Sequence, residues 1–173
     1  RLCEEKDQEW DASTVEVVHL VMQYRMPAEV CSVVSNAYYD GELVTAFSGT
    51  KKTNYFPNIP GFQFPIMLLR CEESIPTRVN TSYKNLCEAA LALSLVGMMC
   101  DFAGVRAEKI SILCVYKAQM EHLRPECRRR GVAVATVDSF QGRENDYILL
   151  LTTRLFSGGG DARSIGFMDR RRW

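Results

Sequence analysis

Nine residues, Thr136 to Glu144, read Thr-Val-Asp-Ser-Phe-Gln-Gly-Arg-Glu. They bring together two hydroxyls, a carboxylate, an amide, a glycine and an adjacent cation and anion. Short hydroxyls such as Thr136 and Ser139 can bond a nucleic-acid backbone without reading its sequence. Gly142 permits close backbone approach to a ligand. A second candidate is Arg25, which follows the β-branched run Val15–Val21. A guanidinium just past a strand tip can grip phosphate oxygens with a planar fork. The alternative for Arg25 is a surface loop in which it pairs with a carboxylate.

These groups need a scaffold. The 136–144 insert lies between Val132-Ala-Val-Ala135 and Tyr147-Ile-Leu-Leu-Leu151, both of strand length and composition. Ile110–Val115 is a further apolar strand, and Tyr116–Arg130 follows it as a helix. Val30, Val33, Val34 and Ala37 predict a helix over 27–39, opened by Pro27 and stopped by Asp40-Gly41. Asn85-Leu-Cys-Glu88 is a variant capping box that opens a helix running to about Gly104. Pro65–Cys71 reads as a strand. Alternating strands and helices imply an α/β fold with a parallel, doubly wound sheet. Its carboxyl edge, where ligands collect in such sheets, would carry Arg25, Tyr116 and the 136–144 insert.

Three segments resemble motifs of the superfamily 1B helicases of the Upf type. Val137–Glu144 is similar to motif V, and Gln23-Tyr24-Arg25-Met26 and Tyr116-Lys117-Ala118-Gln119 match in the family's order. The resemblance implies the second RecA-like motor domain of an ATP-dependent helicase, in the P-loop NTPase superfamily. It implies Arg25 as a catalytic residue at the γ-phosphate, with Tyr24 near the base. Gly142, Arg143 and Glu144 would meet the nucleotide, Glu144 through the ribose hydroxyls. Tyr116, Gln119, Thr136 and Ser139 would contact nucleic acid. The implied cofactor is ATP with Mg²⁺, whose ligands would lie on a first motor domain. The implied partners are that domain and a single strand of RNA or DNA. The chain departs from the family in having Met26-Pro27 where a His-Pro continuation is usual, and Cys114-Val115 where Thr-Pro is usual. Those departures favour an alternative, a catalytically inactive module that keeps the fold.

Composition fits this reading. The 173 residues suit one ordinary domain, with 47% hydrophobic and 24% charged residues. Twenty-one basic side chains balance 21 acidic ones, so nucleic-acid contact must be local rather than global. No apolar run approaches ~18 residues, the length of a membrane span. Seven cysteines without C-x-x-C spacing, and two histidines away from metal-ligand spacing, argue against zinc and structural disulfides. They suit a reducing compartment, cytoplasm or nucleus. The fingerprints G-x-G-x-x-G and G-x-x-x-x-G-K-S/T are both absent. That weakens an oxidoreductase reading and leaves the isolated chain without a phosphate loop, hence inactive alone. Residues 1–14 read as a polar connector and 15–173 as the motor domain, ending before motif VI. The chain opens on Arg1, as a piece of a longer protein would. Residues 45–64 and the Gly158–Gly160 stretch read as loops. Arg128–Arg130 reads as a solvated charge run at a helix end.

Overall fold

The structure is a computed structural model, and it describes residues 18–46, 65–71 and 75–154. These fall into two compact units, one holding residues 18–46 with 65 and 66, the other residues 67–71 and 75–154.

In the first unit, β1 (Met22–Gln23) pairs in parallel with β2 (Val44–Thr45), and α1 (Ala28–Tyr38) connects them. Pro27 occupies the N-cap of α1, and Glu29 in the first turn suits the positive end of the helix dipole. The buried stripe of α1 is Cys31 and Ser35, one helical turn apart. Of the apolar positions expected to face inward, Val30 and Val34 are half-buried, while Val33 and Ala37 are exposed. The stripe is turned because the chain doubles back at Gly41, whose N–H donates to the Ser35 carbonyl, and Cys31 Sγ then meets the Leu43 carbonyl.

Of the expected strand Val15–Val21, residues 18–21 are described. Residues 18–21 are irregular and exposed, and the ladder forms two residues later. β-Branched composition favours extended backbone, but a strand also needs a partner; the ladder pairs Met22 and Gln23, and Val21 joins it through its carbonyl, which accepts the Val44 N–H at 2.7 Å. This short ladder belongs to the first unit, and the three-stranded sheet to the second. Pro65–Cys71 likewise forms no strand, and Leu68 is 94% exposed. The connector 1–14, most of the 45–64 loop and the Gly158–Gly160 stretch lie outside the described residues.

The second unit begins with an antiparallel hairpin, β3 (Thr77–Val79) and β4 (Ser82–Lys84), that sequence reading did not anticipate. Its turn places Asn80 at φ 53°, which asparagine tolerates better than most side chains. Then come α2 (Leu86–Asp101), β5 (Ile110–Cys114), α3 (Lys117–Arg130), β6 (Ala133–Thr136) and β7 (Tyr147–Leu151). Strands β5, β6 and β7 form a wholly parallel sheet in the order β6-β5-β7. Ile110, Ile112 and Cys114 of β5 share a core with Ala89, Ala92, Val96 and Met99 of α2 and with Met120, Leu123 and Cys127 of α3. The fold is α/β and RecA-like, with the antiparallel hairpin as its exception to parallel pairing.

The helix ends follow the local code. Asn85 Oδ1 accepts the Glu88 N–H at 3.1 Å, as the capping box requires. At the end of α3, Gly131 takes φ 74°, its N–H donates to Arg128, and Val132 N–H reaches back to Cys127. That is the paired bonding of a Schellman motif. The arginine run is answered within the helix: Glu126 pairs with Arg129 and Arg130, which hold its carboxyl down to about 2.

Candidate functional site at the strand tips

Because β5, β6 and β7 are parallel, their carboxyl ends deliver Tyr116, Thr136 and Thr152 to one edge. The segment after β6 is built from its own bonds. Ser139 Oγ accepts from Thr136 N at 3.0 Å and from Thr136 Oγ1 at 2.9 Å, and donates to the Thr136 carbonyl at 3.1 Å. Ser139 N–H returns to Thr136 Oγ1 at 3.3 Å. This knot of two hydroxyls winds Asp138–Phe140 into a short 3-10 turn. A type II turn follows: Gln141 at φ −52°, ψ 134°, Gly142 at φ 80°, and Arg143 N–H donating to the Phe140 carbonyl at 2.9 Å. The third position of that turn needs positive φ, which is why it holds glycine. A Cβ added to Gly142 would meet nothing within 4 Å, so bare backbone faces open space. Gln141, Arg143 and Glu144 are exposed beside it.

Topology corrects one expectation about this insert. β6 and β7 lie on opposite sides of β5 and run the same way, so residues 137–146 must travel from the carboxyl end of β6 to the amino end of β7. The insert starts at the carboxyl edge, where Val137 N–H donates to the Cys114 carbonyl at 3.2 Å. At the far end Asn145 Nδ2 donates to the Glu108 carbonyl at 3.1 Å and to Ser111 Oγ at 2.8 Å, and Asp146 pairs with Lys109 at 2.6 Å. The insert is therefore a crossover, anchored at both ends.

Around the tips of β5 and β7 lies a polar interior. Gln119 is wholly buried. Its Oε1 accepts from Asn85 N–H at 2.7 Å, and its Nε2 donates to the Asn85 carbonyl at 3.0 Å and to Glu88 Oε2 at 3.4 Å. Through these bonds Gln119 joins α3 to the start of α2. Glu88 Oε1 accepts the Thr153 N–H at 3.0 Å, and Asn85 Nδ2 donates to the Thr153 carbonyl at 3.3 Å. Burial raises the Glu88 carboxyl above its ordinary range, and the bonds from Thr153 and Thr152 pull partly the other way. Tyr116 is half-buried at the N-cap of α3, with its ring edge-on to Tyr83 at 5.4 Å. The Tyr116 hydroxyl is buried without a hydrogen bond among the described residues.

Tyr24 and Arg25 stand in the first unit directly after β1, both exposed. Their turn is closed by Gln23, the first residue of the same motif. Its Oε1 accepts from the N–H groups of Arg25 (2.8 Å) and Met26 (2.6 Å). Its Nε2 donates to the Met26 carbonyl (2.8 Å) and to Thr45 Oγ1 (2.6 Å). One amide uses its whole bonding capacity to shape the loop that bears Arg25.

A protein-family model described as an AAA domain matches residues 1–173. A regulator of nonsense transcripts 1 from Dictyostelium discoideum is 32% identical over 88% of this chain and 12% of its own length. The probable helicase senataxin of Homo sapiens is 31% identical over 97% of this chain and 6% of its length. The helicase required for RNAi-mediated heterochromatin assembly 1, from Schizosaccharomyces pombe, is 32% identical over 90% and 15%. The chain spans well under a fifth of each of these relatives. The match over all 173 residues, together with the parallel sheet and its motif-bearing crossover, places the chain in the AAA domain family, among the helicases of the Upf type.

Proposed function

We propose that the chain is the second motor domain of an ATP-dependent helicase. It works with a first motor domain of the same protein on a single strand of RNA or DNA, in the cytoplasm or nucleus. Residues 15–173 form the motor domain and 1–14 lead into it. Tyr24 lies beside the base. Arg25 offsets charge on the γ-phosphate during transfer, a task suited to its planar fork. Gly142, Arg143 and Glu144 meet the nucleotide, Glu144 at the ribose. Tyr116, Thr136 and Ser139 hold the strand's backbone, while Gln119 acts from the interior by fixing the start of α3. Mg²⁺, which would neutralise phosphate charge, is assigned to residues of the first domain. Among the described residues no group of three His, Cys, Asp or Glu side chains comes together to hold a metal.

The observation that carries the reading is the crossover after β6. Its hydroxyl knot and type II turn fix the backbone, yet Gly142 opens onto free space. A loop built so firmly around an exposed glycine suits a ligand better than it suits packing. Family membership supports the same class of activity.

The test is nucleic-acid-stimulated ATP hydrolysis by a protein carrying both motor domains. Arg25→Ala is expected to lower turnover by roughly 10³–10⁵-fold, as for arginines in this role, with the melting temperature unchanged. Arg25→Lys keeps the charge but not the fork and should rescue poorly. Near wild-type turnover in Arg25→Ala would overturn the assignment and favour the inactive module instead.

A further inference from the structure

Immediately after β7 the backbone does something costly. Thr153 adopts φ 67°, a left-handed conformation that a β-branched side chain rarely takes. Thr153 is also buried. The conformation is held from both sides, its N–H by Glu88 and its carbonyl by Asn85. Strain that the surroundings enforce this firmly points towards function.

What the kink delivers is Arg154. Its guanidinium carbon sits 4.5 Å from the centre of the Tyr83 ring, and Tyr83 in turn meets Tyr116 edge-on. The ring face attracts the cation and fixes its plane. Among the described residues, no carboxylate forms an ion pair with Arg154 and none of its guanidinium N–H groups has a hydrogen-bond partner. Three independent features therefore converge: an enforced strained residue, an aromatic platform and a guanidinium whose donors meet no acceptor among the described residues. All lie at the carboxyl edge of the sheet, beside the Tyr116 tip.

We propose that Arg154 binds a backbone phosphate of the nucleic-acid strand, presented by the Thr153 kink and oriented by Tyr83. The inference rests on the strand-binding reading above and adds an anion site to it. Held over the Tyr83 ring, the guanidinium offers a planar fork from which a tetrahedral oxyanion can take two N–H donors. A phosphate of a strand lying across the tips of β5, β6 and β7 would pass over Tyr116 and the Thr136–Ser139 knot as well. The contact carries no sequence information, as befits a motor that must step along any sequence.

The experiment is fluorescence-anisotropy titration of a labelled oligonucleotide against the full-length protein at several salt concentrations, with wild type, Arg154→Gln, Arg154→Lys and Tyr83→Leu. One lost phosphate contact should flatten the slope of log K against log salt by about 0.7, the single-strand value per contact. Arg154→Gln should also weaken binding on the order of tenfold at low salt. Arg154→Lys should keep the slope but lose affinity, because the charge remains and the fork does not. Tyr83→Leu should weaken binding with Arg154 still present. A merely structural Arg154 would alter the melting temperature and leave the salt slope alone, which overturns the proposal. So does an unchanged slope and affinity in a well-folded Arg154→Gln. A change in ATP KM without a change in strand affinity would move the anion to the nucleotide and likewise overturn it. Failure of the wild type to bind any strand would instead sink the underlying reading.

Discussion

Replacing Gln119 with leucine separates an interior role from a surface one. The side chain is wholly buried and of similar volume to leucine, so the change removes polarity with little change in packing. Three hydrogen bonds are lost, but their costs differ. The Asn85 carbonyl keeps its bond from Ala89 N–H at 3.0 Å, so it stays satisfied. Glu88 keeps the bond from Thr153 and loses only a long contact of 3.4 Å. The Asn85 N–H, however, has Gln119 Oε1 as its acceptor at 2.7 Å in a buried position. Removing that buried acceptor costs about 1–3 kcal/mol, and the bonds themselves contribute roughly 1 kcal/mol more. The sum is about 2–4 kcal/mol. With a urea m-value of about 2 kcal/mol per molar, the unfolding midpoint should fall by about 1–2 M. Urea titration followed by circular dichroism reads this directly, and strand affinity is measured beside it under native conditions. A midpoint within ~0.25 M of wild type, accompanied by weakened strand binding, would refute the interior assignment and restore Gln119 to the nucleic-acid surface.

Other expectations follow from named contacts. Glu88 has a raised carboxyl, so its contribution to stability is present below the ordinary carboxylate value of 4.5 and is lost as pH rises through the higher folded value. Glu88→Gln should flatten the fall in stability above pH 4.5 in melting curves taken across pH, and an unchanged profile would remove Glu88 as its source. Gly142→Ala meets no clash but must hold φ 80°, so a loss of about 1–2 kcal/mol is expected by thermal melting, with nucleotide turnover reduced as the turn shifts. Gln23→Ala should slow ATP turnover while Arg25 is still present, because two N–H groups and one carbonyl of its turn lose their partner. Turnover equal to wild type would show that the turn holds without it.

The elements of the second unit were legible wherever two signals agreed. β7 matched its apolar run residue for residue, and α2 began where the capping box placed it. Hydrophobic runs and caps are local, and local rules find them. Pairing is not local. Val18–Leu20 continues a run of strand composition yet is irregular, and Thr77–Lys84 has a hairpin without an apolar alternation to announce it. The sequence marked the 136–144 insert as chemically dense but could not show that it crosses the sheet, since strand order is a property of the assembled fold. Arg154 shares with Arg25 the position of a cation just past an apolar run, here Tyr147–Leu151. Gln119 shows the opposite failure. An amide one turn into a helix after a strand tip looks available for a ligand, and only the position of α2 reveals that it is enclosed.

The crossover after β6 has a mechanical consequence. At one end Val137 N–H clasps the Cys114 carbonyl, the last residue of β5, and at the other Asn145 clasps Glu108 and Ser111 at its beginning. The central strand is thus buckled at both ends by a single stretch of chain, with Gly142 near the middle of the strap. Tension applied there cannot loosen one buckle without loading the other. Amide protons flanking β5 at its two ends should therefore exchange in concert, slowing together when something seats against the strap and quickening together when it leaves.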